Sequence, residues 1–278
     1  MNVKEFVGIR TREFELNFDQ SKWEVPSFNQ VFWLGPKRSY CVVIPVINEG
    51  ERIKRLLTRM SSLGIHEVAD IILVDGGSDD GSLEQDWLIS VGVSGLLIKT
   101  GQGRLSAQLR CAYAFSLKHD YAGIITIDGN DKDDPEAIFE FISALKNGHD
   151  FVQASRFISG GVAVNTPASR HFAIRLIHAP LLSLSSGFRW TDTTQGFRGY
   201  SRRMLLDPRL SIFRATFSGY ELLAYMSYRA PRLGFKCLEI PSARRYPKDE
   251  VPTKISMIRG NLTVLKVLLF ACVGFYNP

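Results

Sequence analysis

Cysteine is scarce in this chain, and what little there is stands apart. The 278 residues hold four, Cys41, Cys111, Cys237 and Cys272, with no paired spacing that would make a zinc site or a disulfide framework. Three of them sit in apolar surroundings and read as small core residues, which fits a reducing, cytoplasmic compartment. Long apolar runs are missing too. The longest, residues 262–275, is broken by Thr263 and Lys266 and falls short of the ~20 residues a spanning helix needs. Residues 1–39 carry charges throughout and no apolar stretch of the secretory kind, so no signal peptide is expected. Internal repeats and low-complexity segments are absent. So is any basic and aromatic repeat or recognised nucleic-acid motif, which leaves net charge alone to argue for nucleic acid, and none is expected as a partner.

What is present is an ordinary globular composition, 45% hydrophobic and 22% charged. A net charge of +6 and a pI near 9.2 point to anionic company: phosphates, nucleotides or an acidic lipid surface. Phe14, Leu16 and Phe18 alternate with polar residues, which predicts a short strand. From Tyr40 onward a strand-then-helix rhythm sets in. Strands are expected at 40–46, 71–74, 96–98, 123–127 and 151–154, and helices at 49–63, 81–89 and 105–117. In the last of these Leu105, Leu109, Ala112 and Tyr113 share one face. Asp134 and Pro135 read as the cap and first residue of a further helix. Such alternation predicts an α/β fold, a mostly parallel sheet flanked by helices. Beyond Ser159 the rhythm fails. A helical piece near 170–184, a mixed region to Tyr246, a loop at 247–252 and the apolar tail follow. The tail reads equally as a core helix or an interfacial one.

In open α/β sheets ligands bind at the carboxyl ends of the strands. Three polar clusters fall there: Pro45-Val46-Ile47-Asn48-Glu49, then Asp75-Gly76-Gly77-Ser78-Asp79-Asp80-Gly81-Ser82, then Asp128-Gly129-Asn130. Turn geometry by itself favours Asp and Gly at such places. It explains Asp134, which suits a helix start, better than Asp128, which follows an apolar strand directly. A carboxylate and an amide oxygen two residues apart, with diphosphate oxygens, suit a divalent cation such as Mg²⁺ or Mn²⁺.

In this order and spacing the clusters resemble the nucleotide-binding half of family-2 glycosyltransferases with the GT-A fold, above all the polyprenyl-phosphate sugar synthases. The likeness runs over about residues 40–256. It is carried further by Gly103-Arg104 with Ala107 and Arg110, by Ala154-Ser155-Arg156-Phe157 with Gly160-Gly161, and by Asp192 with Gly196-Phe197-Arg198. The resemblance implies a single GT-A catalytic domain at 39–256, preceded by an extension at 1–38 and followed by an apolar helix at 257–278, the chain's candidate for membrane association.

The same resemblance implies the roles. Glu49 and Asp75, with Pro45 and Ile47 beside them, would hold the base and ribose of a nucleotide-diphosphate sugar. Asp128 and Asn130, with Gly129 between, would hold the metal. Arg104, Arg156, Arg170, Arg198, Arg245 and Lys254 offer cations to phosphate oxygens, although arginine is more often a solvated surface residue. Asp128, Arg156 and Glu221 are the expected catalytic residues. Two departures from the family pattern stand out near the metal. Asn130 replaces an aspartate, and Lys132 brings an ammonium where relatives have an uncharged polar residue. At the second turn, Gly76 replaces a frequent second aspartate. If the acceptor is a glycan hydroxyl, Glu221 is the expected general base. A polyprenyl phosphate is already an anion and needs none. The apolar tail, Arg244-Arg245 and the positive charge favour the lipid phosphate and a peripheral place at the cytoplasmic face of a membrane. A nucleotide-sugar-binding relative with weak turnover is the alternative from another class, and Asn130 is the residue that keeps it open.

Overall fold

The computed structural model describes residues 20–247 and 259–278. The strand expected at Phe14–Phe18 and the cation Lys254 lie outside them. The strands are β1 (Phe28–Trp33), β2 (Tyr40–Val46), β3 (Asp70–Asp75), β4 (Val93–Lys99), β5 (Gly123–Thr126), β6 (Phe151–Ser155), β7 (Val162–Val164), β8 (Arg198–Ser201), β9 (Cys237–Pro241) and β10 (Ala243–Arg245). The helices are α1 (Glu51–Ser62), α2 (Gln85–Ser90), α3 (Leu105–Lys118), α4 (Ala137–Lys146), α5 (Ala168–Ala173), α6 (Ala179–Ser186), α7 (Arg202–Leu205), α8 (Glu221–Arg232) and α9 (Arg259–Cys272). A π turn, Ile174–His178, joins α5 to α6.

Eight strands form one sheet in the order β1-β4-β3-β2-β5-β8-β6-β9, and β7 and β10 pair in parallel beside it. β2, β3, β4 and β5 run parallel, as do β6 and β9, whereas β8 runs antiparallel between β5 and β6. All six residues of β3 are buried, as befits a parallel strand covered on both faces. One apolar layer, with Ile53, Leu56 and Met60 of α1 and Ile138 and Phe141 of α4, covers one side. The other side carries α3 together with Leu222, Tyr225 and Met226 of α8 and Leu268 and Ala271 of α9. This is the GT-A arrangement in a single domain, as expected.

Three local expectations change. Residues 106–117 of α3 are all buried rather than one face of them, because the second half of the chain folds over its outer side. There Ser106 Oγ accepts the Leu222 N–H at 3.2 Å. α4 begins at Ala137, not at Pro135: Asp134 O accepts the Ala137 N–H at 3.3 Å and Asp134 Oδ1 the Glu136 N–H at 3.5 Å, so Asp134 still stands at the helix start and Pro135-Glu136 form a turn ahead of it. α2 is confined to 85–90, because the Glu84 carboxylate accepts the N–H groups of Asp86 and Trp87 and fixes the start there. β1 escaped the sequence reading, since its side chains do not alternate cleanly between apolar and polar. It gains its place as an edge strand only through antiparallel pairing with β4.

Candidate active site

The ends of β2 and β3 are stitched into one ledge. Asn48, with φ +47°, donates its N–H to Ser78 Oγ at 2.9 Å and accepts the Asp79 N–H at 2.9 Å. The Asp75 carboxylate accepts the Ser78 N–H at 3.0 Å and its hydroxyl at 2.6 Å, so Asp75 shapes the turn from within. Gly76 is glycine for a reason: a Cβ there would stand 2.9 Å from Gln108 Nε2. That amide donates to Val46 O at 2.9 Å and Val74 O at 3.0 Å, tying both strand ends together. Glu49 pairs with Arg52 at 2.9 Å, and Ile47 is exposed beside it. Pro45 sits one residue inside the end of β2.

The loop after β5 sends its four aspartates two ways. Asp131 pairs with Arg55 at 3.1 Å and Arg59 at 3.0 Å, and Asp134 with Arg59 at 3.1 Å, so both fasten the loop to α1. Asp128 and Asp133 turn to Arg244 instead. The Arg244 guanidinium donates to Asp133 at 2.5 and 2.7 Å and to Asp128 Oδ2 at 3.2 Å. Burial works against its charge, but Asp133, Asp128 and Tyr246 more than offset this and hold it firmly protonated. Along β10 side chains alternate: Arg244 is buried and Arg245 exposed, the latter donating its N–H to Lys132 O at 2.8 Å. Arg245, expected at the phosphate, is exposed, and Arg244 is the one that the strand's pleat turns toward Asp128.

Tyr246, buried, is ringed by cations. Its hydroxyl accepts from Arg170 at 2.9 Å, and the Lys132 ammonium stands 5.1 Å from its ring centre. Burial alone would raise the phenol, but Arg244, Arg170 and Arg156 pull it down to about 8. Burial, with Arg244 close by, lowers the Lys132 ammonium to about 8. The result is a mostly buried cluster of three cations, Lys132, Arg170 and Arg244, around Tyr246 and beside Asp128 and Asp133. Arg104, exposed, stands just ahead of α3, held there by its N–H bond to Ser218 O at 2.6 Å.

Two expected phosphate ligands have other duties. Arg156 is buried and forks onto Asp192, Nε to Oδ2 at 2.7 Å and an Nη to Oδ1 at 3.0 Å. Thr194 and Gln195 complete that network at 3.0 and 2.6 Å. Its other Nη is buried without a partner. Burial opposes the Asp192 charge, yet Arg156 and Gln195 keep it below the usual carboxylate range. Arg198 is the largest fully buried side chain. It donates to the backbone oxygens of Thr193, Gln195 and Leu223 at 2.7–3.0 Å, which removes it from the anion-binding set: it locks the 193–198 turn to α8. Glu221 opens α8, half-buried, with its carboxylate taking the Gly219 N–H at 2.6 Å.

A divalent cation has a limited donor set here. Among the described residues no three His, Cys, Asp or Glu side chains converge on one point. Asn130 Oδ1 accepts the Lys132 N–H at 3.3 Å, and Asp128 shares Oδ2 with Arg244 but retains Oδ1. One carboxylate and one amide suit a cation that arrives with diphosphate oxygens, since Mg²⁺ commonly binds through one or two carboxylates and substrate phosphates.

The sequence profile of glycosyl transferase family 2 matches residues 41–207, more than half of the chain. Among curated proteins the chain is 27% identical over 203 residues to an undecaprenyl-phosphate mannosyltransferase of Micrococcus luteus, covering 72% of this chain and 80% of that one. It is 25% identical over 232 residues to a dolichyl-phosphate hexose transferase of Haloferax volcanii, covering 84% and 93%. Glucosyl-3-phosphoglycerate synthase of Mycobacterium tuberculosis, solved with Mn²⁺, UDP and glucosyl-3-phosphoglycerate, shares the fold with a TM-score of 0.55. The two are 19% identical over 85% of this chain and 81% of that one.

Proposed function

Because the chain belongs to glycosyl transferase family 2 and is a glycosyltransferase, we propose that it moves a sugar from a nucleotide-diphosphate donor to a polyprenyl phosphate with inversion at the anomeric carbon. An oxygen of the lipid phosphate attacks that carbon from the face opposite the leaving group. The bond to the donor's diphosphate breaks, and the nucleoside diphosphate leaves with the electron pair. When bound, a divalent cation held by Asp128 and Asn130 would neutralise charge on the diphosphate. The chain's own residues hold the rest. The ledge of Glu49 and Asp75 receives the nucleoside, and Arg104 stands by the diphosphate. Arg170 and Arg244 supply fixed positive charge, and Lys132 adds its ammonium below about pH 8.

The observation that carries the acceptor class is the cluster of Lys132, Arg170 and Arg244 around Tyr246. A second anion beside the donor's diphosphate needs such a field, and a neutral sugar hydroxyl does not. The relatives named for undecaprenyl and dolichyl phosphate agree with this. The competing acceptor, a glycan hydroxyl, draws on Glu221, whose carboxylate lies at the start of α8 near the start of α3 and is available as a base once released from Gly219. Incubation of the full chain with Mn²⁺, a panel of labelled nucleotide sugars and either a short-chain isoprenyl phosphate or an oligosaccharide tests this. Label in the isoprenyl phosphate supports the proposal, and label in the oligosaccharide alone overturns it. We place it at the cytoplasmic face of a membrane, where its relatives' named lipid phosphates are held; among the described residues no helix is long and apolar enough to cross a membrane.

A further inference from the structure

The rod formed by α5, the π turn and α6, residues 168–186, carries an apolar stripe on its outside. Phe172 is 63% exposed, Leu176 66% and Leu184 86%, with Pro180 exposed between them and Ile177 alongside. These residues recur every fourth position. In an unbroken α-helix that spacing drifts around the axis; the wider π turn interrupts the drift within this rod. The inner side, Ile174, Ala179 and Leu182, is buried.

A second apolar face adjoins it. In α9, Val267, Leu268 and Ala271 are buried, while Leu262, Leu269, Val273 and the following Phe275 are exposed, the last two by 77% and 66%. α6 packs against both α8 and α9, and the Cys272 thiol lies in hydrogen-bonding reach of Ser185. That contact brings Leu184, the residue before Ser185, and Val273, the first residue past the end of α9, to the same seam. Exposed apolar side chains this numerous and adjacent mark an interaction surface rather than ordinary scatter.

Charge identifies the occupant. No Asp or Glu occurs between Arg156 and Asp192, and none follows Glu250. Within those two stretches the exposed charges on the described helices are cationic: Arg175 on the rod, Arg189 just after it and Lys266 on α9. Arg232 of α8 donates to Ser185 O at 2.9 Å at the same seam. An apolar face whose own two stretches carry cations and no carboxylate matches an anionic lipid surface, which takes apolar side chains into its acyl boundary and draws cations to its headgroups.

We propose that the outer faces of the 168–186 rod and of α9 together dock on an anionic membrane. In the acceptor half, this adds the rod to the apolar tail as a lipid-binding element. It also ties docking to the site. Arg170, two residues before Phe172 and on the opposite side of α5, faces Tyr246 in the cationic cluster. One helix, about 10 Å across, therefore separates that cluster from the lipid plane, within reach of the phosphate end of a membrane-held isoprenoid. This last link rests on the acceptor proposed above; the docking surface itself does not.

The test is sedimentation of the full chain with vesicles of phosphatidylcholine alone or mixed with phosphatidylglycerol. The wild type should bind the mixed vesicles, and bind them less at high salt. Leu176→Asp/Leu184→Asp should weaken binding by at least about tenfold, since both leucines lose apolar burial. Melting temperature and transfer to a short-chain, water-soluble isoprenyl phosphate should stay at the wild-type level. Undiminished vesicle binding by the double variant overturns the proposal. So does a wild type that ignores phosphatidylglycerol, or one that is a dimer in solution and becomes a monomer on substitution. A wild type that binds mixed vesicles yet transfers to no isoprenyl phosphate leaves the surface standing and removes the acceptor.

Discussion

Gly196 lies directly against the carboxylate of Asp128. A Cβ on Gly196 would overlap Asp128 Oδ1 and stand 3.0 Å from its Cγ. The glycine belongs to the turn before β8, sixty-eight positions away in sequence, and it leaves the Asp128 carboxylate room beside Arg244.

The first prediction follows from that contact. Gly196→Ala needs no forbidden backbone angle, because Gly196 is not among the positive-φ glycines. The fold should therefore persist while the Asp128 carboxylate shifts. A displacement of about 1 Å at a reacting group costs roughly 10²-fold in rate, so kcat should fall by that order with a near-native circular dichroism spectrum. Wild-type turnover would show that Asp128 is not at the chemistry.

The second concerns the metal. Asp128→Ala should abolish transfer without unfolding the chain, since Asp133 remains to pair Arg244. Asn130→Asp adds a charged ligand and should lower the Mn²⁺ concentration that gives half-maximal activity. A titration curve that superimposes on the wild type would remove Asn130 from the ion.

Arg156 calls for a stability measurement before any kinetic one. Arg156→Ala would leave Asp192, fully buried, without its ionic partner. Breaking a buried pair from one side costs about 3–5 kcal/mol, which chemical denaturation should register. A variant as stable as the wild type would mean that Asp192 finds water or another donor.

Tyr246 predicts a pH dependence. Its folded pKa of about 8 lies below the ordinary value of 10.0, so between those values the unfolded chain binds more protons and stability rises with pH. The contribution is absent below about pH 8 and grows to about 2–3 kcal/mol above pH 10, at 1.36 kcal/mol per unit. The melting temperature of Tyr246→Phe should therefore fall further behind the wild type from pH 7.5 to pH 10. A constant gap would mean that the three arginines do not act on the phenol.

The acceptor is decided by ranking two variants. A lipid phosphate arrives anionic, so Glu221→Gln should cost less than about tenfold in kcat, or about 1.4 kcal/mol. Arg170→Ala removes a charge-assisted contact to phosphate and should cost more. A nearly dead Glu221→Gln beside a mildly impaired Arg170→Ala would make the enzyme one that extends a glycan at a hydroxyl.

Much of this molecule was legible in the order of its residues. Apolar runs ending in Asp75 and Asp128 announce strands that stop at a polar edge, because backbone periodicity and burial are local properties. The tertiary structure decided what those residues face. β10 is three residues long and pairs with β7, so nothing near it in sequence says that Arg244 points inward and Arg245 outward. Arg156 and Arg198 look alike as cations in a chain. Folding gives one to Asp192 and the other to backbone carbonyls, since a buried guanidinium must find acceptors wherever the packing supplies them. The tail reads as core or interfacial from its composition. Packed on α8 it is apolar on both counts, one face in the core and the other outside, a division that only the neighbouring helix could draw.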